Sequence, residues 1–356
     1  VAKTRKEKAM TYKLCLIGCG NVGHGFIKLL RAREAWLKGH GFAVKIVAIC
    51  DLVRGSVLAP DGFPLAQLDA ALDAGQRLDT AFPPKRSRGL GALEVIRESG
   101  ANIVLELTPT DLHTGQPATS HIEEALRSGK HVVTTNKGPV ALFYRRLKRL
   151  ADENRVKFRF EGTVMSGTPV FSLVESGLAG ATIRGVRGIL NGTTNYILTR
   201  MEEGWEYEEA LQEAQALGYA ETDPTADVEG HDALAKITIL GNVLLSGDLT
   251  PWEVPVQGIT GLTRDEVQAA ARMSHRYKLI AQARVDEGGR VVANVAPKRL
   301  ALSDPLAAVS GVTNALTFEL EPLGEIIIVG PGAGRRETGH AVLTDLLAIH
   351  RSMRDK

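Results

Sequence analysis

Cysteine is scarce in this chain of 356 residues, long apolar runs are missing, and neither sign of charge is in excess. The three cysteines, Cys15, Cys19 and Cys50, are too few and odd in number for a disulfide framework, which points to a reducing, cytoplasmic setting. No apolar stretch approaches the roughly 20 residues of a membrane-spanning helix. Lysine plus arginine is 43 against 41 acidic residues, so no surplus of positive charge argues for nucleic acid or a membrane surface as partner. The first ten residues are basic but lack the apolar core of a signal peptide, and they read as a loose tail ahead of Met10. Repeats and low-complexity segments are absent too. A composition of 44% hydrophobic and 24% charged residues is that of a globular protein with two or three domains, an enzyme or a binding protein.

What is present is an alternation of strands and helices. Residues 14–17 are a short apolar run ending in glycine, residues 22–30 carry a helical pattern, and residues 44–49 form a second apolar run. Residues 103–107, 117–127 and 131–134 repeat the sequence of strand, helix, strand. Such alternation implies a Rossmann-type, doubly wound parallel sheet, an α/β fold. The basic stretch at 83–89 reads as a solvated loop. After about residue 155 the texture changes to strand-like stretches at 157–160, 170–174 and 183–190, then helical patterns at 206–217 and 230–245. This is expected to be a central α+β domain. A strand at 325–329, a turn and a helix at 338–350 close the chain, and this βα unit is expected to pack back onto the first domain. The divisions are placed at 11–150, 151–320 and 321–356.

Gly18-Cys19-Gly20-Asn21-Val22-Gly23 is G-x-G-x-x-G between the first strand and the first helix. Gly18 would allow the tight turn, Gly20 the approach of a pyrophosphate, and Gly23 the packing of helix on strand, with Asn21 and Val22 opening the helix. The free N–H groups of a helix start favour phosphate. Asp51 ends the second strand, where an acid binds the adenosine ribose, and Arg54 could hold a 2′-phosphate instead, leaving NAD and NADP both open. Thr108-Pro109-Thr110 and Asn136-Lys137-Gly138 follow two further strands, at the carboxyl ends where open α/β sheets bind ligands.

In the second half, Glu221, Asp223, Asp227, Glu229, Asp232 and Lys236 gather beside a turn. Asp232 and Lys236 are four apart and share one face of a helix. A surface ion pair would account for that spacing. A lysine among carboxylates also suits a zwitterionic amino-acid substrate, and a carbonyl reduction in which the new alkoxide needs a proton.

The run from Ala214 through Gly218, Asp223-Pro224, Asp227, Gly230, Asp232 and Lys236 resembles the signature of the homoserine dehydrogenase family. The glycine loop, Thr108-Pro109-Thr110, the stretch from Gly129 to Pro139, Asn191-Gly192-Thr193-Thr194-Asn195-Tyr196 and Gly332-Ala333-Gly334 agree with it over nearly the whole chain. The resemblance implies NAD(P)-dependent interconversion of L-homoserine and L-aspartate 4-semialdehyde, in the route to threonine, methionine and isoleucine. It makes Lys236 the proton donor or acceptor, Asp232 its orienting partner, and Lys137 a residue between nicotinamide and substrate. Glu221 and Asp227 would receive the substrate's ammonium, and Gly218, Tyr219 and Thr193 would shape the pocket. Thr108, Pro109, Asn136, Lys137 and Gly334 would join Gly18, Gly20, Asn21, Val22, Gly23, Asp51 and Arg54 around the cofactor. Glu161, Val164, Ser166 and Thr168 match a loop whose carbonyls ligate a structural sodium ion in the family; a plain glycine-rich turn is the alternative. The resemblance also implies a homodimer formed through the central sheet, with the central domain catalytic, and with one helix beyond Gly334 no ACT-type threonine site is expected.

Two other readings compete. An enzyme making the same semialdehyde from an acyl phosphate requires a cysteine nucleophile, and no cysteine lies in the second domain. A non-catalytic NAD(P)-binding sensor would keep the glycine loop without needing Lys137, Asp232 and Lys236.

Overall fold

The structure, a computed structural model, describes residues 10–82 and 89–354. The tail ahead of Met10 and the basic loop, except for Gly89, lie outside the described residues. The chain divides into two compact units at Thr163/Val164 and at Gly334/Arg335. The first division falls after residue 150 because the short strand at 158–159 still belongs to the first sheet. The second falls after residue 320 because the strand that follows is paired within the second sheet. Among the described residues, no helix is long and apolar enough to cross a membrane.

The first unit contains β1 (Met10–Ile17), α1 (Asn21–Gly39), β2 (Phe42–Asp51), β3 (Gly55–Leu58), α2 (Leu65–Asp73), α3 (Leu78–Ala81) and α4 (Ala92–Glu98). It continues through β4 (Ile103–Glu106), α5 (Ala118–Arg127), β5 (His131–Thr134), α6 (Lys137–Glu153) and β6 (Phe158–Arg159). The sheet runs β3-β2-β1-β4-β5-β6 and is parallel except for β3, which returns antiparallel along β2. Leu14–Ile17 of β1 and all of β4 are buried, as expected of strands covered on both faces. Helix α1 buries Phe26, Ile27, Leu30 and Leu37, one stripe of a 3.6-residue repeat. The polar stretch after residue 30 extends α1 rather than ending it. The chain leaves β1 and β4 in opposite directions across the sheet, which opens a crevice at their carboxyl ends.

The second unit contains α7 (Phe171–Gly177), β7 (Thr182–Ile189), α8 (Gly192–Glu202), α9 (Tyr207–Ala216), α10 (Thr225–Val228), α11 (His231–Leu244) and α12 (Arg264–Arg272). Strands β8 (His275–Val285), β9 (Val291–Ala301), β10 (Thr313–Glu321) and β11 (Gly324–Pro331) complete it. Its antiparallel sheet runs β11-β10-β7-β8-β9. Helix α11 is buried continuously from Ala233 to Asn242, the pattern of a helix enclosed by its unit. The apolar run at 170–174 is the start of a helix, not a strand, since so short a run fits either period.

Only the final helix, α13 (Arg335–Arg354), belongs to the first unit, where Val342, Leu346 and Ile349 join the core that holds β1 and α1. The expected closing βα unit is therefore split, because β11 finds its hydrogen bonds on β10. Asp345 fastens the helix from within. Fully buried, its carboxylate accepts from Arg159 Nε at 3.1 Å and from the Glu161 backbone N–H at 2.8 Å. Burial pushes this carboxyl up to about 7, with the Arg159 guanidinium pulling the other way. An unfolded aspartate titrates near about 3.9, so between those values the folded chain holds the extra proton and stability falls as pH rises. This contribution is full below the unfolded value and gone above the folded one. In urea titrations, Asp345→Asn should lack that decline between about pH 4 and pH 7, whereas parallel curves for the two proteins would refute the assignment.

Candidate active site

Within the first unit, the glycine loop lies between β1 and α1. Gly18 has φ +88°, and a Cβ there would sit 2.8 Å from Leu107 O, so the loop can pass the end of β4 only as glycine. A Cβ at Gly20 would meet nothing within 4 Å, leaving open space over the loop. Gly20 caps α1 without a side-chain hydrogen bond, and the first turn carries no acid. Free N–H groups, a positive helix end and open space fit a pyrophosphate.

Asp51 does more than end β2. Its Oδ2 accepts the Cys19 N–H at 2.8 Å, and its Oδ1 accepts those of Val53 and Arg54 at 3.0 and 2.9 Å. One carboxylate thus ties the phosphate loop to the β2–β3 turn. It keeps a lone-pair position for a ribose hydroxyl, since a carboxylate offers about four. Arg54 folds inward, with Nη1 buried and without a hydrogen-bond partner among the described residues. That is a donor suited to an anionic oxygen. Burial first, and then the charge of Asp51, pushes the Cys19 thiol up to about 12; burial does the same to Cys15. Both stay protonated and are poor nucleophiles.

At the carboxyl ends of β4 and β5, Asn136 caps α6 by accepting the Gly138 N–H at 3.1 Å, and its amide donates to Thr108 O and Pro109 O at 3.1 and 3.0 Å. Thr110 Oγ1 accepts the Lys137 N–H at 3.4 Å. Lys137 opens α6 half-buried.

In the second unit, buried polar and charged side chains cluster where β7 gives way to α8. Lys236 on α11 is 7% exposed, and its ammonium donates to Leu190 O and to Asp232 Oδ2, both at 2.6 Å. Two of its three hydrogens are used, so one remains for a ligand. Asn191 caps α8 by accepting the Thr194 N–H at 2.9 Å, while its amide nitrogen donates to Asp227 Oδ1 at 2.7 Å and Asp232 Oδ2 at 3.0 Å. The Thr193 hydroxyl lies 2.8 Å from Tyr219 O and 3.1 Å from Asp227 Oδ2. Burial, and then the neighbouring Asp232, raises the Asp227 carboxyl, against the donors Asn191 and Thr193.

The pair four residues apart is therefore the centre of a buried network rather than a surface ion pair. Thr193, Tyr219 through its carbonyl, Asp227, Asp232 and Lys236 come together. Glu221 does not: its side chain is exposed and makes no hydrogen bond or ion pair among the described residues, although Gln215 Nε2 holds its carbonyl at 3.1 Å. Gly218 is also exposed, and Tyr219 is half-exposed with its ring edge-on to Tyr196. Of the four positions that resemble the family's sodium loop, Glu161 falls in the first unit and Val164, Ser166 and Thr168 in the second, all buried. Gly334 ends the second unit.

Comparison with known proteins gives the family. The family model described as homoserine dehydrogenase matches residues 169–347, and that of the homoserine dehydrogenase NAD-binding domain matches residues 18–161. The chain belongs to the homoserine dehydrogenase family. A relative named NAD(+)-dependent homoserine dehydrogenase, from Pseudomonas canavaninivorans, is 47% identical over 342 residues, which cover 96% of this chain and 97% of the relative. A homoserine dehydrogenase structure from Thiobacillus denitrificans matches with a TM-score of 0.84 and 31% identity, over 98% of this chain and 75% of that one. A hyperthermophilic archaeal homoserine dehydrogenase in complex with NADPH matches with a TM-score of 0.80 and 28% identity, over 96% and 98% of the two chains. Among family members, this chain shows why Asn191 stands at the head of its motif: it is at once helix cap and bridge between carboxylates. An Asn ahead of a helical run is a recognisable N-cap, but the second role is invisible in sequence. Asn191→Ala should cost about 2–3 kcal/mol in urea unfolding, the cap plus two buried hydrogen bonds. A loss under about 0.5 kcal/mol would mean that the bridge carries no load.

Proposed function

We propose that this chain interconverts L-homoserine and L-aspartate 4-semialdehyde with a nicotinamide dinucleotide, and that Lys236 moves the proton. The single observation behind this reading is the buried ammonium of Lys236, held by Leu190 O and Asp232 with one hydrogen to spare. The bound nicotinamide supplies or accepts the hydride. In the reducing direction Lys236 Nζ gives its proton to the oxygen that gains negative charge, and in the oxidising direction it takes the hydroxyl proton back. Asp232 fixes the ammonium and, through Asn191, is kept apart from Asp227. Asp227, with Thr193 beside it, receives the ammonium end of the substrate. Glu221 is the second carboxylate assigned to that end, and Gly218 and Tyr219 line the approach. In the first unit, Gly18, Gly20, Asn21, Val22 and Gly23 cradle the pyrophosphate, Asp51 and Arg54 meet the adenosine ribose, and Thr108, Pro109, Asn136 and Lys137 hold the nicotinamide end. Gly334 is assigned to the cofactor on the family resemblance.

The same reading includes a homodimer, a cytoplasmic setting and a structural sodium ion on carbonyls of Glu161, Val164, Ser166 and Thr168. Support for the ion is that Met165 and Ser166 stand at φ +54° and +51°, a left-handed pair that non-glycine residues adopt at a cost.

Purified protein should oxidise L-homoserine with NAD+ or NADP+, read as nicotinamide absorbance. Lys236→Ala should lower kcat by about 10²–10⁴ while leaving cofactor Kd nearly unchanged. If neither cofactor gives turnover, a sensor without catalysis becomes the better description; equal losses of kcat and cofactor affinity would remove the proton-transfer role. Arg54→Ala should weaken NADP+ about tenfold more than NAD+, by the worth of one charge-assisted contact, and an unchanged ratio of the two KM values would reject Arg54 as the 2′-phosphate residue.

A further inference from the structure

Glu106 is a carboxylate with no exposure at all, at the last position of β4, and the chemistry described above gives it no task. Burying a carboxylate costs several kcal/mol, roughly, unless donors surround it. Here the donors come chiefly from Thr108, just past β4, with a β5 hydroxyl shared between the Glu106 carbonyl and its carboxylate. The Thr108 hydroxyl donates to Glu106 Oε1, and the Thr108 N–H reaches the same oxygen at 3.4 Å. Thr134 Oγ1 on β5 lies 2.8 Å from Glu106 O and 3.3 Å from Oε2, and itself accepts the Asn136 N–H at 3.0 Å. His121 Nδ1, 3.5 Å from Oε1, is the one other titratable group in hydrogen-bond range of the carboxylate among the described residues.

This arrangement decides the polarity of Thr108. A threonine hydroxyl has one hydrogen and two lone pairs. With the hydrogen committed to Glu106, the half-buried oxygen can only accept. One lone pair faces the Asn136 amide at 3.4 Å, a long contact that leaves acceptor capacity over. Beyond it the chain is open, since Pro109 and Thr110 are exposed.

We propose that Glu106 is a positioning residue that fixes Thr108 Oγ1 as a pure acceptor, and that this acceptor selects the amide N–H₂ of the nicotinamide carboxamide. The inference rests on the assignment of Thr108 to the nicotinamide end of the cofactor. It concerns cofactor recognition in the first unit and needs no turnover of homoserine.

The probe is the pair NAD+ and its 3-acetylpyridine analogue, which replaces the carboxamide N–H₂ with a methyl group. Their Kd values are measured by calorimetry on the full chain, with melting temperature recorded for every variant. The unaltered protein should prefer NAD+ by about tenfold, the worth of one hydrogen bond to a positioned acceptor. Glu106→Met fills the volume but cannot accept, so the Thr108 proton is released outward and the preference should fall to about twofold or less. Glu106→Gln still offers an amide oxygen and should keep most of the preference. Thr108→Val should abolish it with Glu106 in place. A Glu106→Met protein that melts lower but retains the full preference would overturn the proposal and leave Glu106 a structural group only. If Glu106→Met does not fold, the preference in Thr108→Val decides, and an unchanged ratio there overturns it. Absence of homoserine oxidation with the NAD+ preference intact would refute the proposed reaction and leave this inference standing.

Discussion

The ammonium of Lys236 is held almost out of water by one carboxylate and one main-chain carbonyl, and the second unit is organised around that constraint. A buried cation needs a paired anion and directed acceptors, or its desolvation goes uncompensated. Asp232 supplies the anion from one turn earlier on α11, and Leu190 O supplies the acceptor. Placing Asp227 beside Asp232 then creates the opposite difficulty, two carboxylates near each other, which the Asn191 amide relieves by donating to both. The cap of α8, the orientation of α11 and the loop bearing Asp227 are therefore one electrostatic arrangement. Removing any member leaves another buried and uncompensated.

The first unit meets a similar constraint with the sign reversed. Glu106 is a buried anion whose surroundings are mainly hydroxyl and amide groups, with His121 at the limit of hydrogen-bond distance. A hydroxyl can help stabilise a carboxylate without a full positive charge when its one proton is committed to it, as that of Thr108 is, whereas the Thr134 proton lies nearer the Glu106 carbonyl. That commitment is what gives the Thr108 oxygen a fixed polarity. Asp51 works in the same way on backbone donors: three N–H groups from two loops converge on it, so the phosphate loop and the β2–β3 turn cannot move independently.

Much of this was legible in the sequence. The buried runs of β1, β2, β4 and β5, the glycine loop, and the spacing of Asp232 and Lys236 each carry a local signature, and the structure places them as those signatures imply. Strands β8, β9 and β10 were not read from the sequence. Their burial does not alternate, as in β8, where Lys278 to Ala281 are buried in succession, so the period-2 pattern that marks a half-buried strand is lost. Residues 170–174 misled for the complementary reason, being too short for any period to declare itself. Within the site, the bridging role of Asn191 lies in partners 36 and 41 residues away in the chain, and that of Glu106 in a hydroxyl two residues on whose orientation no sequence pattern shows. Spacing reveals neighbours on one helix face; it does not reveal which distant donor meets which carboxylate.

The two polar centres share one further physical cause. Leu190 directly follows β7, and Glu106 ends β4, so both of their carbonyls lie where a sheet ladder runs out. A carbonyl in mid-ladder is already paired with a neighbouring strand, whereas one at the end must find a side chain or water. Lys236 meets that need at Leu190, and at Glu106 the Thr134 hydroxyl at 2.8 Å adds to a long main-chain contact from the Thr135 N–H at 3.4 Å. Strand ends are thus the places where the fold itself demands polar side chains, and a polar side chain recruited for that purpose is already desolvated and oriented. Reactive groups at such positions need less additional organisation than they would on an exposed surface. On this view the carboxyl end of a doubly wound sheet and the β7–α8 junction organise polar side chains for the same reason: each offers weakly paired or unpaired backbone carbonyls in a dry setting, and the side chains that satisfy them inherit a fixed geometry.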